Sequence, residues 1–233
     1  MSVKRAEKEK KDTRMFSRIL DPVIMSPKFK ALSRRFRRND SFTLLDVGCG
    51  NHSPSITKRY FKRCRYFGLD VGVYNNSEDD ALAMEQFYLA DLEKGDLGTV
   101  PDNFFDAIVM SHVIEHLRNG LEVIEGLTHK LKSGGTIYIE FPSVRSLSLP
   151  SMPGTLHFCD DATHKRLYDL KDVVNTLLAH HCIIIKAGPR RDILKALLTP
   201  LTYLYLKYLR RTEYAVAFWD IRKFADCVLA QKK

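Results

Sequence analysis

The sequence predicts an α/β protein built on a mostly parallel sheet with helices on both faces. The chain has 233 residues, a length that fits one large domain and leaves little room for two. Its composition, 45% hydrophobic and 28% charged, is ordinary for a globular protein and excludes a wholly disordered chain. From residue 42 onward, short apolar runs alternate with stretches of helical periodicity, which is typical of parallel strands joined by crossover helices.

Seven apolar runs are candidate strands. They cover residues 43–47, 66–70, 87–90, 105–111, 136–141, 182–186 and 227–230. Helical spacing is clearest over 121–131 and 170–178, and Ser133, Gly134 and Gly135 predict a turn before the fifth strand. A stretch rich in Ser, Pro and Gly opens a predicted lid over 142–168, and an amphipathic helical insertion interrupted at Pro200 is expected over 192–212. We expect one domain over 41–233, preceded by a basic leader over 1–40.

The basic excess of the chain is concentrated in this leader. Residues 1–38 hold 13 Lys and Arg against 4 Asp and Glu, which accounts for the whole net charge of +9, and the remaining 24 of each sign cancel. Such a segment suits a solvated helix or arm, but also nucleic acid, anionic lipid or a phosphorylated substrate. Met15, Ile19 and Leu20 lie at helical spacing, which favours packing on the domain or peripheral contact with a membrane.

The cysteines and the apolar segments indicate in which cellular compartment the protein is expected. The five cysteines are odd in number, widely spaced and without a CxxC pair, which disfavours a disulfide scaffold or a cysteine zinc site. The charged N-terminus has no apolar core after it, so it is not a secretory signal, and the apolar stretch 196–206 is too short to span a bilayer. We expect a cytoplasmic protein, and association with a membrane surface stays open.

A glycine turn follows the first predicted strand and gives the first indication of a ligand. Gly48 and Gly50 let the backbone turn sharply and approach a bound molecule at the carboxyl end of the strand, where ligands bind in open α/β sheets. The third glycine of the dinucleotide fingerprint is absent, and no P-loop sequence follows. Asp46 precedes this turn, Asp70 ends the second strand and Asp91 follows the third, so we expect three carboxylates at one edge of the sheet.

Five motifs occur in consecutive order over about 100 residues: LLDVGCG (44–50), FGLD (67–70), ADLEKG (90–95), FDAIVMSHVIEHL (105–117) and LKSGGTIYIEFP (131–142). Together they resemble the class I S-adenosylmethionine-dependent methyltransferases of the type 11-like group. The resemblance implies a Rossmann-like fold with a seven-stranded sheet, a methyltransferase domain over 41–233, and S-adenosylmethionine (SAM) as cofactor. It implies the following cofactor contacts: Asp46, Gly48 and Gly50 at the methionine end, Asp70 at the ribose, Asp91 and Leu92 at the adenine, and Ser111 beside them.

Two clusters rich in histidine follow the fourth and fifth strands. If residues 112–116 (HVIEH) open a helix, then His112, Glu115 and His116 share one face, while the apolar residues between them face the core. The second cluster, 157–166, includes His164 and follows the Ser- and Pro-rich loop, so it can fold over the cleft as a lid. We take these four residues, His112, Glu115, His116 and His164, as candidate catalytic residues.

The two clusters together resemble two groups within the fold. The sequence style HVIEHL followed by DDxTHKR resembles bacterial methyltransferases associated with surface glycans. The small-RNA 2′-O-methyltransferases bind a divalent metal, and Glu115, His116 and His164 match three of their ligands. Three roles stay open: a divalent metal site, a metal-free site in which a histidine is the general base, or structural hydrogen bonds between turn and lid.

The sequence therefore favours a SAM-dependent O-methyltransferase. The expected acceptor is a sugar hydroxyl of a glycan or a related bacterial metabolite, methylated by in-line transfer with deprotonation by a histidine. One alternative is RNA 2′-O-methylation, although a domain without net charge disfavours nucleic acid as a partner. The other is a cofactor-binding regulatory or scaffold domain without turnover. The sequence leaves the oligomeric state open.

Overall fold

The computed structural model describes residues 26–233, and their centre is one seven-stranded sheet. In chain order the strands are β1 (Thr43–Val47), β2 (Arg65–Asp70), β3 (Gln86–Leu89), β4 (Phe105–Ser111), β5 (Leu131–Pro142), β6 (Cys182–Pro189) and β7 (Ala225–Lys232). Their order across the sheet is β3-β2-β1-β4-β5-β7-β6. The pairs from β3 to β5 are parallel, and β7 is antiparallel to both of its neighbours. The predicted fold class is confirmed.

Helices cover both faces of the sheet. They are α1 (Pro27–Leu32), α2 (Ser53–Tyr60), α3 (Glu78–Ala83), α4 (Gly120–Lys130), α5 (Leu170–Ala179), α6 (Ile193–Leu197), α7 (Thr199–Leu204) and α8 (Trp219–Arg222), with a π-helical turn over Tyr205–Arg210. Leu45 and Val47 of β1 join the apolar core that α4 and α5 cover. Leu44 joins a second core on the opposite face, with Phe29 of α1. Successive side chains of a strand point to opposite faces, so a sheet buried on both sides needs an unbroken apolar run.

The turn predicted at residues 133–135 is an irregularity inside a longer strand. β5 begins at Leu131, and its register with β4 shifts between Phe105 and Ala107. Gly134 has a φ of +76°, a conformation that glycine adopts without steric cost. Between the paired positions on either side of this shift, β4 has one residue and β5 has four, and the extra residues are accommodated as a bulge, so the strand continues where the sequence pattern indicated a turn.

The helix expected to open at residue 112 does not form. His112 has a φ of +57° and its backbone N–H donates to the Glu140 carbonyl at 2.8 Å, so it still belongs to the edge of the sheet. A single 3₁₀ turn, Ile114–His116, follows, and α4 begins only at Gly120. A left-handed residue cannot itself form part of a right-handed helix, so His112 does not share a helical face with Glu115 and His116.

The C-terminal third wraps around the carboxyl edge of the sheet. Over the predicted lid, 142–168, two 3₁₀ turns form at Val144–Ser148 and Phe158–Asp160. Leu156 of this segment packs on Ala215, Phe224 and Ala225 in a third apolar cluster. The insertion predicted over 192–212 consists of α6, α7 and the π-helical turn, and the break between α6 and α7 falls just before Pro200 because proline lacks the N–H that helix continuation requires.

The leader and the cysteines complete the description. Within residues 1–40, α1 packs through Phe29 and Leu32, whereas Met15, Ile19 and Leu20, the residues at helical spacing, lie outside the described residues. Arg34, Arg35, Arg37 and Arg38 are exposed. No helix within residues 26–233 has the length and apolar character needed to cross a membrane. The five cysteines are free thiols; four are buried and the one at position 159 is exposed.

Tyr168 joins the loop after β4 to the start of α4, and its removal should destabilise the fold. The buried hydroxyl donates to the Leu117 carbonyl at 2.7 Å and accepts from the Gly120 N–H at 2.8 Å. Tyr168→Phe leaves both backbone groups without a partner and should lower the free energy of unfolding by about 1–3 kcal/mol, measured by urea denaturation. Tyr205→Phe, at a side chain that is 47% exposed, is the matched control and should change little. Equal stability of the two variants would contradict this role.

Candidate active site

A cleft of about 580 Å³ opens at the carboxyl edge of the parallel strands. Small-molecule sites typically occupy roughly 300–1,000 Å³, so the cleft is large enough for a nucleoside cofactor. It brings together six of the seven residues predicted to bind the cofactor: Gly48, Gly50, Asp70, Asp91, Leu92 and Ser111. His112, His116 and Lys165 form part of its wall. The strands β1, β2 and β4 end at this cleft because they are parallel and adjacent.

The two glycines of the first loop have no space for a side chain. A Cβ at Gly48, where φ is +75°, would lie 2.3 Å from a methyl group of Val113. A Cβ at Gly50 would lie 2.8 Å from the backbone carbonyl oxygen of Tyr74. The loop therefore passes between two walls of protein, which explains the spacing of these glycines and leaves their backbone exposed to the cleft.

Asp46 does not line the cleft as the resemblance implied. Its side chain is 2% exposed, and one carboxylate oxygen accepts hydrogen bonds from Ser53 Oγ at 2.5 Å and Tyr66 OH at 2.7 Å. Lys28 of α1 pairs with the same oxygen at 3.2 Å. A carboxylate with three donors is satisfied inside the protein, so Asp46 anchors the glycine loop to β2 and α1 and acts on the cleft through that loop.

The two acids at the ends of β2 and β3 have different surroundings. Asp70 is half-buried, one of its carboxylate oxygens accepts from the Val71 N–H at 2.8 Å, and burial raises its pKa. The side chain of Asp91 is 43% exposed and caps the 3₁₀ turn Leu92–Lys94. The hydrogen bond from Lys94 lowers the pKa of Asp91. Both side chains reach the cleft, Asp70 from a partly buried wall and Asp91 from the exposed rim.

His112 lies between two buried carboxylates. Its Nδ1 is 3.1 Å from Glu115 Oε1, and its Nε2 is 3.1 Å from Glu140 Oε1. Burial would lower the pKa of His112, but hydrogen bonds and attraction to both carboxylates outweigh it and raise the pKa to about 9. Because ionised carboxylates only accept hydrogen bonds, both ring nitrogens carry protons at neutral pH. The geometry therefore contradicts a general-base role for His112.

Glu140 connects this imidazolium to a buried ionic network. Arg190 donates to Glu140 at 2.9 Å and to Asp220 at 3.1 Å, and Tyr138 donates its hydroxyl to Glu140. Burial would raise the pKa of Glu140, but Arg190 and His112 lower it to about 2. Sequence analysis identified none of the members of this network besides His112, namely Tyr138, Glu140, Arg190 and Asp220. Glu140 carried a signal, an acid inside the apolar run IYIEF, whereas Arg190 and Asp220 lie in segments without a motif.

The two histidine clusters meet as predicted in a second group, Glu115, His116 and His164. One candidate ligand atom from each residue lies within 4.8 Å of the others. His116 Nδ1 is 3.2 Å from the Thr163 carbonyl, and His164 Nδ1 is 2.7 Å from the Phe158 carbonyl. A carbonyl can only accept, so each Nδ1 carries a hydrogen, and in the neutral form of each ring the lone pair lies on Nε2.

Glu115 contributes an unsatisfied oxygen to this group. Its Oε2 is buried without a hydrogen-bond partner among the described residues, while Oε1 faces His112. The segment carrying His164 is held over the cleft rim by Lys165, whose backbone N–H donates to the Glu115 carbonyl at 2.8 Å. The ammonium group of Lys165 also pairs with Glu93 at 2.5 Å. The arrangement offers a proton acceptor at the cleft and a three-ligand set beside it.

Comparisons with known proteins agree with this fold and cleft. A family model described as a methyltransferase domain matches residues 14–180, well over half of the chain. A trans-aconitate 2-methyltransferase of Rhizobium rhizogenes is 34% identical over 113 residues, which is 46% of this chain and 40% of that protein. The aligned region thus spans less than half the length of that relative.

Solved structures show the same fold. A SAM-dependent methyltransferase from Archaeoglobus fulgidus aligns with a TM-score of 0.56 at 18% identity, over 93% of this chain and 99% of that one. Geranyl diphosphate C-methyltransferase from Streptomyces coelicolor aligns with a TM-score of 0.59 at 13% identity, over 88% and 78% of the two chains. The fold and the family match define a class, the SAM-dependent methyltransferases. The chain belongs to the methyltransferase domain family.

The position of His112 between two carboxylates predicts a pH dependence of stability. Its folded-state pKa, about 9, lies above the ordinary value of 6.5, so its contribution is fully present below pH 6.5 and is lost as the pH rises through 9. Between pH 6 and pH 9 the free energy of unfolding should fall by an amount on the order of 2–3 kcal/mol. His112→Asn, which tolerates the left-handed backbone but carries no charge, should remove this slope.

The control is His181→Asn, because His181 also has a positive φ of 59° and is exposed. Urea denaturation at several pH values should give this variant the slope of the unsubstituted protein. A slope that persists in His112→Asn would show that His112 is not the titrating group.

Proposed function

We propose that this methyltransferase transfers the methyl group of SAM to an oxygen atom of the acceptor. The cofactor would lie in the cleft with its methionine end at Gly48 and Gly50, its ribose at Asp70 and its adenine between Asp91 and Leu92. The close packing of the glycine loop and the acids at successive strand ends support this orientation. Ser111 lies on the same wall and would contact the cofactor from the end of β4.

His116 is the general base in this proposal, and the hydrogen-bond partners of its Nδ1 are the observation that carries it. Its Nδ1 lies 3.2 Å from the Thr163 carbonyl oxygen and 3.0 Å from the Thr163 hydroxyl oxygen. That hydroxyl in turn donates to Asp161 at 2.5 Å. The lone pair on Nε2 is therefore available in a ring that forms part of the cleft wall. His164, packed 5.0 Å from His116 between ring centroids, would support its position.

The transfer itself requires little from the protein beyond orientation. An acceptor hydroxyl would lose its proton to His116 Nε2 while its oxygen attacks the methyl carbon in line with the C–S bond. The bonding pair of that bond stays on sulfur, which converts the sulfonium cofactor into its neutral thioether product.

Glu115, His116 and His164 also fit a divalent metal. Two Nε2 lone pairs, each oriented by an Nδ1 hydrogen bond to a carbonyl, and one buried carboxylate oxygen without a partner are a chemically suitable donor set. Nitrogen donors in the majority favour a transition metal over magnesium. A bound metal would supply Lewis-acid polarisation of the acceptor oxygen, and these residues would orient it.

We propose a hydroxyl of a glycan or a related metabolite as the acceptor, and a carboxylate as the second candidate. The first rests on the resemblance of the two histidine clusters to glycan-associated methyltransferases. The second is suggested by the name of the trans-aconitate relative. A carboxylate is already ionised and would need no base, so the two candidates differ in their dependence on His116.

Labelled SAM can separate these candidates directly. Extracts divided into glycan, small-acid and RNA fractions would be incubated with the protein and methyl-labelled SAM. Release of labelled methanol in mild alkali indicates a methyl ester, whereas an alkali-stable product that mass spectrometry identifies as a methyl ether supports hydroxyl methylation. Label that becomes soluble after ribonuclease treatment would support the RNA alternative. Bound SAM without any labelled product would favour a scaffold.

Substitution of Asp70 should weaken cofactor binding. Asp70→Ala removes a half-buried acceptor that would bond the ribose hydroxyls, so the Kd for SAM should rise about tenfold or more in calorimetry. Asp79→Ala on α3, at an exposed acid, is the matched control and should bind SAM normally. Unchanged affinity in Asp70→Ala would place the ribose elsewhere.

Substitution of the histidines should separate cofactor binding from turnover. His116→Ala and His164→Ala should bind SAM with unchanged affinity, and His116→Ala should lower kcat by about 100-fold or more because the base is lost. His129→Ala, at an exposed histidine of α4, serves as control. Full activity in both cleft variants would remove the catalytic role. Inhibition by a chelator, reversed by added zinc, would assign the effect to a metal rather than to a free base.

A further inference from the structure

A stripe of exposed apolar side chains runs along three consecutive helical elements at one end of the sheet. We define this apolar stripe as Ile193, Leu194, Leu197, Leu201, Leu204, Tyr205, Tyr208 and Leu209. Leu197 is 72% exposed, Leu201 66% and Leu209 77%. The members recur every three or four residues through α6, α7 and the π-helical turn, so they share one continuous face. Isolated exposed leucines are ordinary, but a contiguous apolar face of this length indicates an interaction surface.

The opposite side of the same segment is fixed to the domain, so the stripe cannot rotate inward. Thr199 is buried, and its hydroxyl donates to the Ala217 carbonyl at 3.0 Å. Tyr203 packs edge-on against Tyr214 and Phe218, with ring centroids 5.3 and 5.5 Å apart. Lys207 donates to the Tyr203 hydroxyl at 2.6 Å on this inner side. The apolar stripe therefore faces away from the rest of the domain.

A cavity rich in cations adjoins the start of the stripe. This cationic cavity, of about 350 Å³, lies between α1, the β6–β7 edge and α6. Ile193 and Leu194 belong both to its wall and to the stripe. Arg34, Lys186 and Arg191 also line it, and within residues 26–233 no hydrogen bond or ion pair engages their side chains. The other two cations of the wall, Lys30 and Arg190, are paired with Asp192 and Asp220.

We propose that the apolar stripe and the cationic cavity together dock this protein on a membrane surface that contains anionic lipids. Leu197, Leu201 and Leu204 would enter the boundary between head groups and acyl chains. Arg34, Lys186 and Arg191 would meet lipid phosphates, each contributing attraction as a basic residue near an anionic surface. This combination of an apolar helical face with flanking cations is the chemistry of interfacial helices.

Charge disfavours a second copy of this chain as the occupant. A second copy of the described chain would bring the same unpaired cations against each other at the cavity, which is repulsive. The cavity floor includes Asp220, whose partner Arg190 also bonds to Glu140 near the cleft. Docking through this face would therefore hold the carboxyl edge of the sheet close to the lipid surface, independently of which acceptor is methylated.

Vesicle co-sedimentation of the full chain tests the proposal. The protein should sediment with vesicles of phosphatidylcholine mixed with phosphatidylglycerol, and far less with phosphatidylcholine alone. Leu197→Ser/Leu201→Ser should weaken partitioning roughly tenfold or more, because two apolar side chains no longer leave water. Lys186→Glu/Arg191→Glu should weaken binding to the anionic vesicles. The control Leu82→Ser, at a leucine of α3 that is 85% exposed, should bind as the unsubstituted protein does.

Four results would overturn the proposal. They are equal binding to both vesicle types, full binding by the stripe variant, loss of binding in Lys10→Glu/Lys11→Glu but not in the stripe variant, and a dimer in solution that the stripe substitutions dissociate. The third would move the contact to the basic leader, and the fourth would assign the stripe to self-association. Circular dichroism and SAM binding of each variant show that the fold is intact.

Discussion

The site depends on the hydrogen bonds and ion pairs that the buried carboxylate of Glu140 makes. It accepts hydrogen bonds from His112, Arg190 and Tyr138, which come from the end of β4, the end of β6 and β5 itself. Removing one partner from such a group leaves a buried charge that costs several kcal/mol, about 3–5 in comparable cases. Glu140 thus joins the cofactor side of the sheet to its C-terminal extension. The turn that carries Glu115 and His116 begins from the residue that Glu140 holds.

The same network determines which residues can act as acids and bases. His112 and His116 are four residues apart, yet one has both nitrogens facing carboxylates and the other has one nitrogen facing a carbonyl. The first is held as a cation between its two carboxylates, and the neutral form of the second has its lone pair on Nε2. A histidine is defined chemically by the partner of each ring nitrogen, so proximity in sequence says little about shared function.

The fold followed from the sequence because its signals were local. The buried strands β1 and β4 coincide with their apolar runs, and Gly48 and Gly50 stand where a Cβ would collide with Val113 or Tyr74. The role of a site residue could be predicted from the sequence only where that role depends on the residue's place in its own strand or loop. Asp46 lies near the end of β1 as Asp70 lies at the end of β2, but Lys28, Ser53 and Tyr66 enclose Asp46. Contacts between residues this far apart in the sequence produce no periodic pattern from which they could be predicted. Likewise, nothing in the sequence HVIEH indicates that the backbone of His112 is left-handed.

The cysteines give the folded protein one chemically accessible thiol. Burial raises the pKa of Cys49 and of Cys64 to about 12, and it also raises the pKa of Cys182 and Cys227, so these four resist alkylation. Cys159 is exposed, in the short turn whose Phe158 carbonyl orients His164. A fluorophore coupled through maleimide chemistry would attach at that turn without any mutation, and its emission would report how the segment above the cleft moves when ligands arrive.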